Sequence, residues 1–289
     1  TSEANPYIKS GGLADVLGSL PKALVQKGHE CIVVLPKYQD MKLADTIEYV
    51  TNYDIWVGWR KCYCGVFKAE YDGVTYYFID NEQYFRRPGL YGYDDDNERF
   101  AFFDFAVLEL LSHIDIKPDI LHLHDWQTAM IATLYKERYA YYEYYQGIKI
   151  VFTIHNIAYQ GKCDPALLSD HFGLDNYLYY NGNCRNDGCF NMMKAAIYYS
   201  DIITTVSPTY AQEILTDSFG EGLQNILQMR RHDLYGILNG IDYETINPAT
   251  DPEIVEHFDI TNVDEKKVIN KLALQKECGL PENKDVPLI

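Results

Sequence analysis

Long apolar runs are missing from this 289-residue chain, and so is any excess of positive charge. No stretch approaches the roughly 20 apolar residues that a membrane-spanning helix needs. The opening "TSEANPYIKS" also lacks the features of a secretory signal. Lysine and arginine together number 25 against 42 acidic residues, a net charge of −17. A surface that negative repels nucleic acid and anionic membranes, so neither is expected as a partner. A metal-type cysteine pattern is missing too. There are seven cysteines, and neither Cys62 with Cys64 nor Cys184 with Cys189 has zinc-type spacing. A chain of this length needs no disulfide framework, so they read as free thiols in a reducing compartment: the cytoplasm, or the plastid if the source is a plant. Internal repeats are lacking, as is low complexity outside the tyrosine cluster "YAYYEYY" at 139–145.

What is present begins with "YIKSGGLADVLGSLPKAL" at 7–24. Lys9 stands just before the pair Gly11-Gly12, and an apolar helix starts at once. Glycines let a ligand approach the backbone, and a helix N-terminus offers unpaired N–H groups to an anion. The spacing fits neither a Walker A loop nor the GxGxxG turn of dinucleotide folds. Two readings stay open on these residues alone, a phosphate-facing turn or a tight turn with a solvated lysine. The 26 tyrosines are the other excess; their flat faces and edge hydroxyls suit sugars but also pack in ordinary cores.

Leu13, Val16, Leu17, Leu20 and Leu24 recur at helical spacing, predicting a helix over 13–27 that Pro21 should kink and Gly28 should end. "ECIVVLP" at 30–36 reads as a strand buried on both faces, the mark of a parallel sheet. Residues 48–80 alternate around Asp72-Gly73, an antiparallel excursion. A βα rhythm then returns: a helix at 97–112, the strand "DILHLH", a helix from Gln127, the strand "KIVFTI", a helix near 191–199, the strand "DIITTVS", a helix opened by Pro208, and a last strand and turn in "GILNGID" at 236–242. Strands alternating with helices imply an α/β fold, a doubly wound Rossmann-like parallel sheet with ligands at the C-terminal strand ends. The glycine turn should itself follow a strand, and only polar residues precede it, so that strand is expected to be missing. Residues 264–279 predict a charged helix, and "VPLI" falls where another strand would begin.

The segments "KSGGLADVLGSLPKAL", "RRPGLYGYDDDNERFAFF", "HLHDWQTAM", "TIHNIAYQG", "TVSPTYAQEI", "GILNGID" and "INPATD" stand in the order of one family. Together they resemble the N-terminal half of ADP-glucose-dependent glycogen and starch synthases, retaining glycosyltransferases of family 5 with the two-domain GT-B architecture. The resemblance implies an acceptor-side domain over 1–245. Residues 246–289 would be an interdomain linker and helix leading to a C-terminal donor-nucleotide domain outside this sequence. It also implies an enzyme that moves glucose from ADP-glucose to the non-reducing end of an α-1,4-glucan, keeping the α configuration. Glycogen, starch or a maltooligosaccharide would be the acceptor, the sugar nucleotide the other partner, with no cofactor. Without its C-terminal domain the chain should be inactive.

The implied site follows residue by residue. Lys9 faces the donor phosphates, and Gly11 and Gly12 let the sugar nucleotide come close. Asp15 lies in the first helical turn, where it equally suits the helix dipole. His155 lies beside the transferred glucose, followed by Asn156, with Gln160 lining the cleft. Asp125 reaches toward the donor sugar. Asn239 and Asp242 form the turn at the domain junction, though both are also ordinary turn formers. Tyr91 and Tyr93 are the aromatic candidates for stacking on sugar. His122 and His124 share one side of their strand but lack a third ligand, so no metal is expected. Two other classes remain: a noncatalytic glucan-binding module derived from a synthase, which should have lost Lys9 or His155, and an unrelated flavodoxin-like nucleotide-binding domain, which would not account for the HN and NGID motifs.

Overall fold

The first helix, α1 (Gly12–Gln26), buries Leu13, Ala14, Leu17 and Pro21 on one face. It runs through Pro21 and ends where Gly28, at φ +91°, lets the chain turn back onto Leu24 and Val25. The computed structural model describes residues 1–289. Ahead of α1 there is no strand. Ser2, Glu3 and Ala4 are buried despite their polar neighbourhood, in a loop closed by an Ala4–Ile8 bridge and tied to α1 by the Asn5 N–H on the Ala14 carbonyl.

β1 (Ile32–Pro36) pairs in parallel with β4 (Val74–Asp80), and Leu35, Phe78 and Ile79 are fully buried. Between them, β2 (Glu48–Val57) and β3 (Arg60–Tyr71) make the antiparallel excursion; Asp72 and Gly73 both take positive φ, as a tight hairpin turn requires. A short helix α2 (Glu82–Phe85) leads to α3 (Asp96–His113), in which nearly every residue from Arg99 to Leu111 is buried. A helix buried on every side belongs inside a core rather than on a surface, and here even the charged Arg99 and Asp104 are enclosed.

β5 (Ile120–His124), α4 (Met130–Glu137), β6 (Lys149–Ile154), α7 (Met192–Tyr199), β10 (Ile202–Thr205), α8 (Pro208–Glu213), α9 (Gln224–Met229) and β11 (Leu234–Gly236) carry the βα rhythm; β7 (Lys162–Cys163), α5 (Leu167–Phe172), α6 (Tyr177–Tyr180), β8 (Arg185–Asn186) and β9 (Cys189–Asn191) form an inserted lobe with its own three-stranded sheet. The α/β class is as expected, but ladder hydrogen bonds divide the strands into two four-stranded sheets. One is mixed, β1-β4-β3-β2, and one is all parallel, β11-β10-β6-β5.

Several local expectations shift. The last strand lies just before "ILNGID" rather than in it, because Leu234 is what pairs with Ile203. The stretch after Asp125 begins with a 3₁₀ turn at Trp126–Thr128 before α4. "YAYYEYY" forms two 3₁₀ turns, burying Tyr139 and Tyr145 and exposing Tyr141 and Tyr142. "VPLI" forms no strand.

The chain divides into a unit of Thr1–Asn239 and one of Gly240–Ile289. The second holds α10 (Val263–Glu277), to which the Glu256 N–H and carbonyl are tied through the Asn270 side chain.

Candidate active site

The parallel register opposes His124 to Thr153 and Ile154 to Thr205, so the residues that follow β5 and β6 emerge side by side. Asp125 is the first. Its backbone sits at φ 56°, ψ −175°, a region essentially reserved for glycine. It is held there by its N–H on the Thr153 carbonyl, 3.0 Å, and by the Thr128 N–H on its own carbonyl, 3.3 Å. The carboxylate Oδ1 accepts the N–H groups of His155 at 2.8 Å and Asn156 at 3.4 Å. Burial pushes this carboxyl up to about 7 against those two bonds, and the Glu3 charge adds to the rise.

His155 is pulled down to about 4 by burial, so its ring is neutral at neutral pH. Its Nε2 lies 3.1 Å from Nδ1 of His124, whose ring is 2% exposed. His122 instead uses Nε2 on the Thr153 hydroxyl, 2.7 Å, which meets that of Thr204 at 2.6 Å.

The loop after β6 is clamped from behind. Asn156 folds its side chain onto the Ala158 N–H, and the Ile157 N–H donates to the Tyr210 hydroxyl. Gln160 does not line a cleft: it is 3% exposed, donates to the Ile157 and Glu221 carbonyls, and accepts from Asn191. Its amide is consumed in holding the loop. Gly161, at φ +64°, packs so closely that an added Cβ would come within 2.7 Å of the Trp126 ring. The clamp leaves the Asn156 and Tyr159 side chains facing solvent.

At the glycine turn, the Lys9 ammonium pairs with Asp15 at 2.7 and 2.8 Å, and Asp15 also accepts from Asn5. Unforeseen from sequence, the buried Glu3 carboxylate accepts the N–H groups of Ser10 and Gly11, bracing the turn from inside. Gly12 remains exposed at the start of α1, where helical N–H groups lack internal partners. Tyr91 and Tyr93 are not a pair of open rings. Tyr91 packs partly buried on Phe100, with its hydroxyl on Ser2 at 2.7 Å. Tyr93 bonds the Pro88 carbonyl and carries the guanidinium groups of Arg87 and Arg99 at 5.0 and 5.1 Å.

Asn239 closes the first unit, exposed; Asp242, in the second, accepts the N–H groups of Glu244 and Thr245 as a turn former does. Glu3, His124 and Tyr210 were not foreseen in these roles: His124 and Tyr210 act across long sequence separations, and Glu3 meets its nearby partners only because its loop folds inward and is buried.

Residues 1–229 match the family model of the starch synthase catalytic domain, and the chain belongs to that family. Among curated proteins it is similar to the glycogen synthase of Streptococcus agalactiae serotype Ia, 51% identical over 290 residues, and to that of Clostridium perfringens, 52% over 291. Both alignments cover all of this chain, and 61% and 60% of those proteins, so the chain spans about three-fifths of the length of these relatives. Among solved structures it is similar to the catalytic domain of starch synthase IV from Arabidopsis thaliana bound to ADP and acarbose, with a TM-score of 0.88 at 38% identity, covering 96% of this chain and 58% of that one.

Proposed function

We propose that this chain is the acceptor-side half of a retaining glucosyltransferase that moves glucose from ADP-glucose to the non-reducing-end 4-hydroxyl of an α-1,4-glucan. Residues 1–245 would form the N-terminal GT-B domain, and 246–289 the linker and helix toward a C-terminal nucleotide domain. The observation that carries the reading is the convergence of Asp125, His155 and Asn156 at adjacent parallel strand ends, in a member of the starch synthase family. The ADP and acarbose in the Arabidopsis relative support a nucleotide sugar and a glucan as the ligands. No resident cofactor enters the reading, and seven unpaired cysteines suit a cytoplasmic setting. No helix is long and apolar enough to cross a membrane.

In the proposed step the bond from the glucose anomeric carbon to the diphosphate breaks as the acceptor 4-oxygen bonds to the same face. The hydroxyl proton passes to the departing phosphate oxygen. Negative charge grows on the diphosphate, where Lys9 and the start of α1 would meet it. Lys9 must leave Asp15 to do so, a small cost because exposed ion pairs are worth about 0–1 kcal/mol. Positive charge grows on the sugar ring, beside neutral His155 and the Asp125 carboxyl.

The test is radiolabelled glucose transfer by the full-length enzyme. His155→Ala should cut kcat by about 100-fold or more while the protein stays folded. Full activity in that variant, or no ADP-glucose-dependent transfer by the wild type, would reject the reading.

A further inference from the structure

We infer that His124 is a positioning residue for this transfer, holding the His155 imidazole in one orientation and coupling its tautomer to its own. The inference rests on the proposed role of His155.

Three observations carry it. The two rings meet nitrogen to nitrogen, His124 Nδ1 to His155 Nε2 at 3.1 Å. Between two neutral imidazoles a hydrogen bond needs one N–H and one lone pair, so whichever form His124 adopts dictates the proton on His155 Nε2. The other His155 nitrogen, Nδ1, then takes the opposite role and becomes a defined donor or acceptor toward ligand. Second, His124 has little freedom to reorient. Its backbone N–H donates to the Thr128 hydroxyl at 2.7 Å, and that hydroxyl donates back to the His124 carbonyl at 2.9 Å. The His122 ring lies 4.1 Å away on the same strand, and the His124 side chain is 2% exposed. Third, the backbone of His155 is fixed separately by Asp125, which leaves its ring as the part still to be oriented. Burial also pulls His124 well below the ordinary histidine range, which keeps both rings neutral. A buried strand end could be filled by an apolar ring at lower desolvation cost. The imidazole here gains a bond to the candidate catalytic group instead.

The experiment sets two substitutions against each other in the full-length enzyme. His124→Phe keeps an aromatic ring and removes both nitrogens; His124→Asn loses the ring but places an amide where Nδ1 stood. For a positioning residue, His124→Phe should lower kcat about tenfold to a hundredfold with little change in the glucan KM, and His124→Asn should recover most of that loss. A merely structural role predicts the reverse order, with activity following thermal stability. Histidine-labelled ¹⁵N spectra supply a readout independent of turnover: the His155 tautomer distribution of the wild type should shift in His124→Phe. Wild-type activity in His124→Phe, an advantage of Phe over Asn, or an unchanged His155 tautomer would each overturn the inference. A wild type that transfers no glucose would instead reject the proposed function, while the spectra still decide whether His124 sets the tautomer.

Discussion

Asp125 combines a strained backbone with a carboxylate that ties two strand ends together. Asp125→Ala and Asp125→Gly lose the same hydrogen bonds, but only glycine releases the strain. The Gly variant should therefore be more stable than the Ala variant by about 1–3 kcal/mol in urea unfolding. Equal stabilities would mean that the conformation carries no strain. The raised carboxyl also predicts a pH dependence. Folded Asp125 holds its proton up to about 7, whereas an unfolded aspartate releases it near about 4. Its contribution is present below that lower value and declines as pH rises through 7. His155 acts oppositely: lowered to about 4 when folded, it adds stability as pH rises toward the ordinary histidine value of about 6.5. Because His155 titrates alike in both proteins, Asp125→Asn should gain on the wild type as pH rises from about 4 to about 7, as parallel denaturation series would detect. At the glycine turn, Lys9→Ala in the full-length enzyme should raise the donor KM about tenfold to a hundredfold, since a charge-assisted hydrogen bond is worth about 1.5–3 kcal/mol. Glucan KM and folding should stay near normal, and unchanged donor kinetics would leave "KSGG" a plain turn.

At the scale of elements, the loop after β6 is rigid because Gln160 and Gly161 fasten it from behind. Gly161→Ala would add left-handed strain and a clash with Trp126, whereas Gly182, at φ +91°, has nothing within 4 Å of an added Cβ. Gly182→Ala should cost about 1 kcal/mol and Gly161→Ala clearly more, with a lower transfer rate only for the latter. Comparable losses of stability would show that the loop can yield. Much at this scale was legible in the residues. Continuous apolar runs marked β1 and β6, the Asp72-Gly73 turn marked the β3–β4 hairpin, and Pro208 marked the start of α8, which Ser207 caps at 2.9 Å on the Tyr210 N–H. Less legible was the lobe at 162–191, whose strands run only two or three residues and show no period.

For the whole molecule, the chain covers about three-fifths of its relatives' length. If donor phosphates are held from two sides, the 289-residue chain by itself should fold yet transfer no measurable glucose from ADP-glucose to glycogen. A circular-dichroism melt alongside the transfer assay checks both halves of that statement. A robust rate from the purified chain would sink the two-domain reading.

Local order carried the elements, because helical and strand periods and turn residues act over a few neighbours, whereas the candidate chemistry came from the resemblance of "TIHNIAYQG" and its companion segments to one family. Those patterns are sufficient to set Lys9, Asp125 and His155 at element ends. Only the tertiary structure decided what each side chain does there. Glu3 reads as part of a polar leader, yet burial turns its carboxylate onto the glycine turn. Gln160 reads as a cleft residue, yet the approach of Ile157, Glu221 and Asn191 saturates its amide. Tyr93 reads as a sugar platform, yet two arginines lie against its ring. In each case the deciding partner is brought near by packing, and a buried polar group must take whatever partner packing offers.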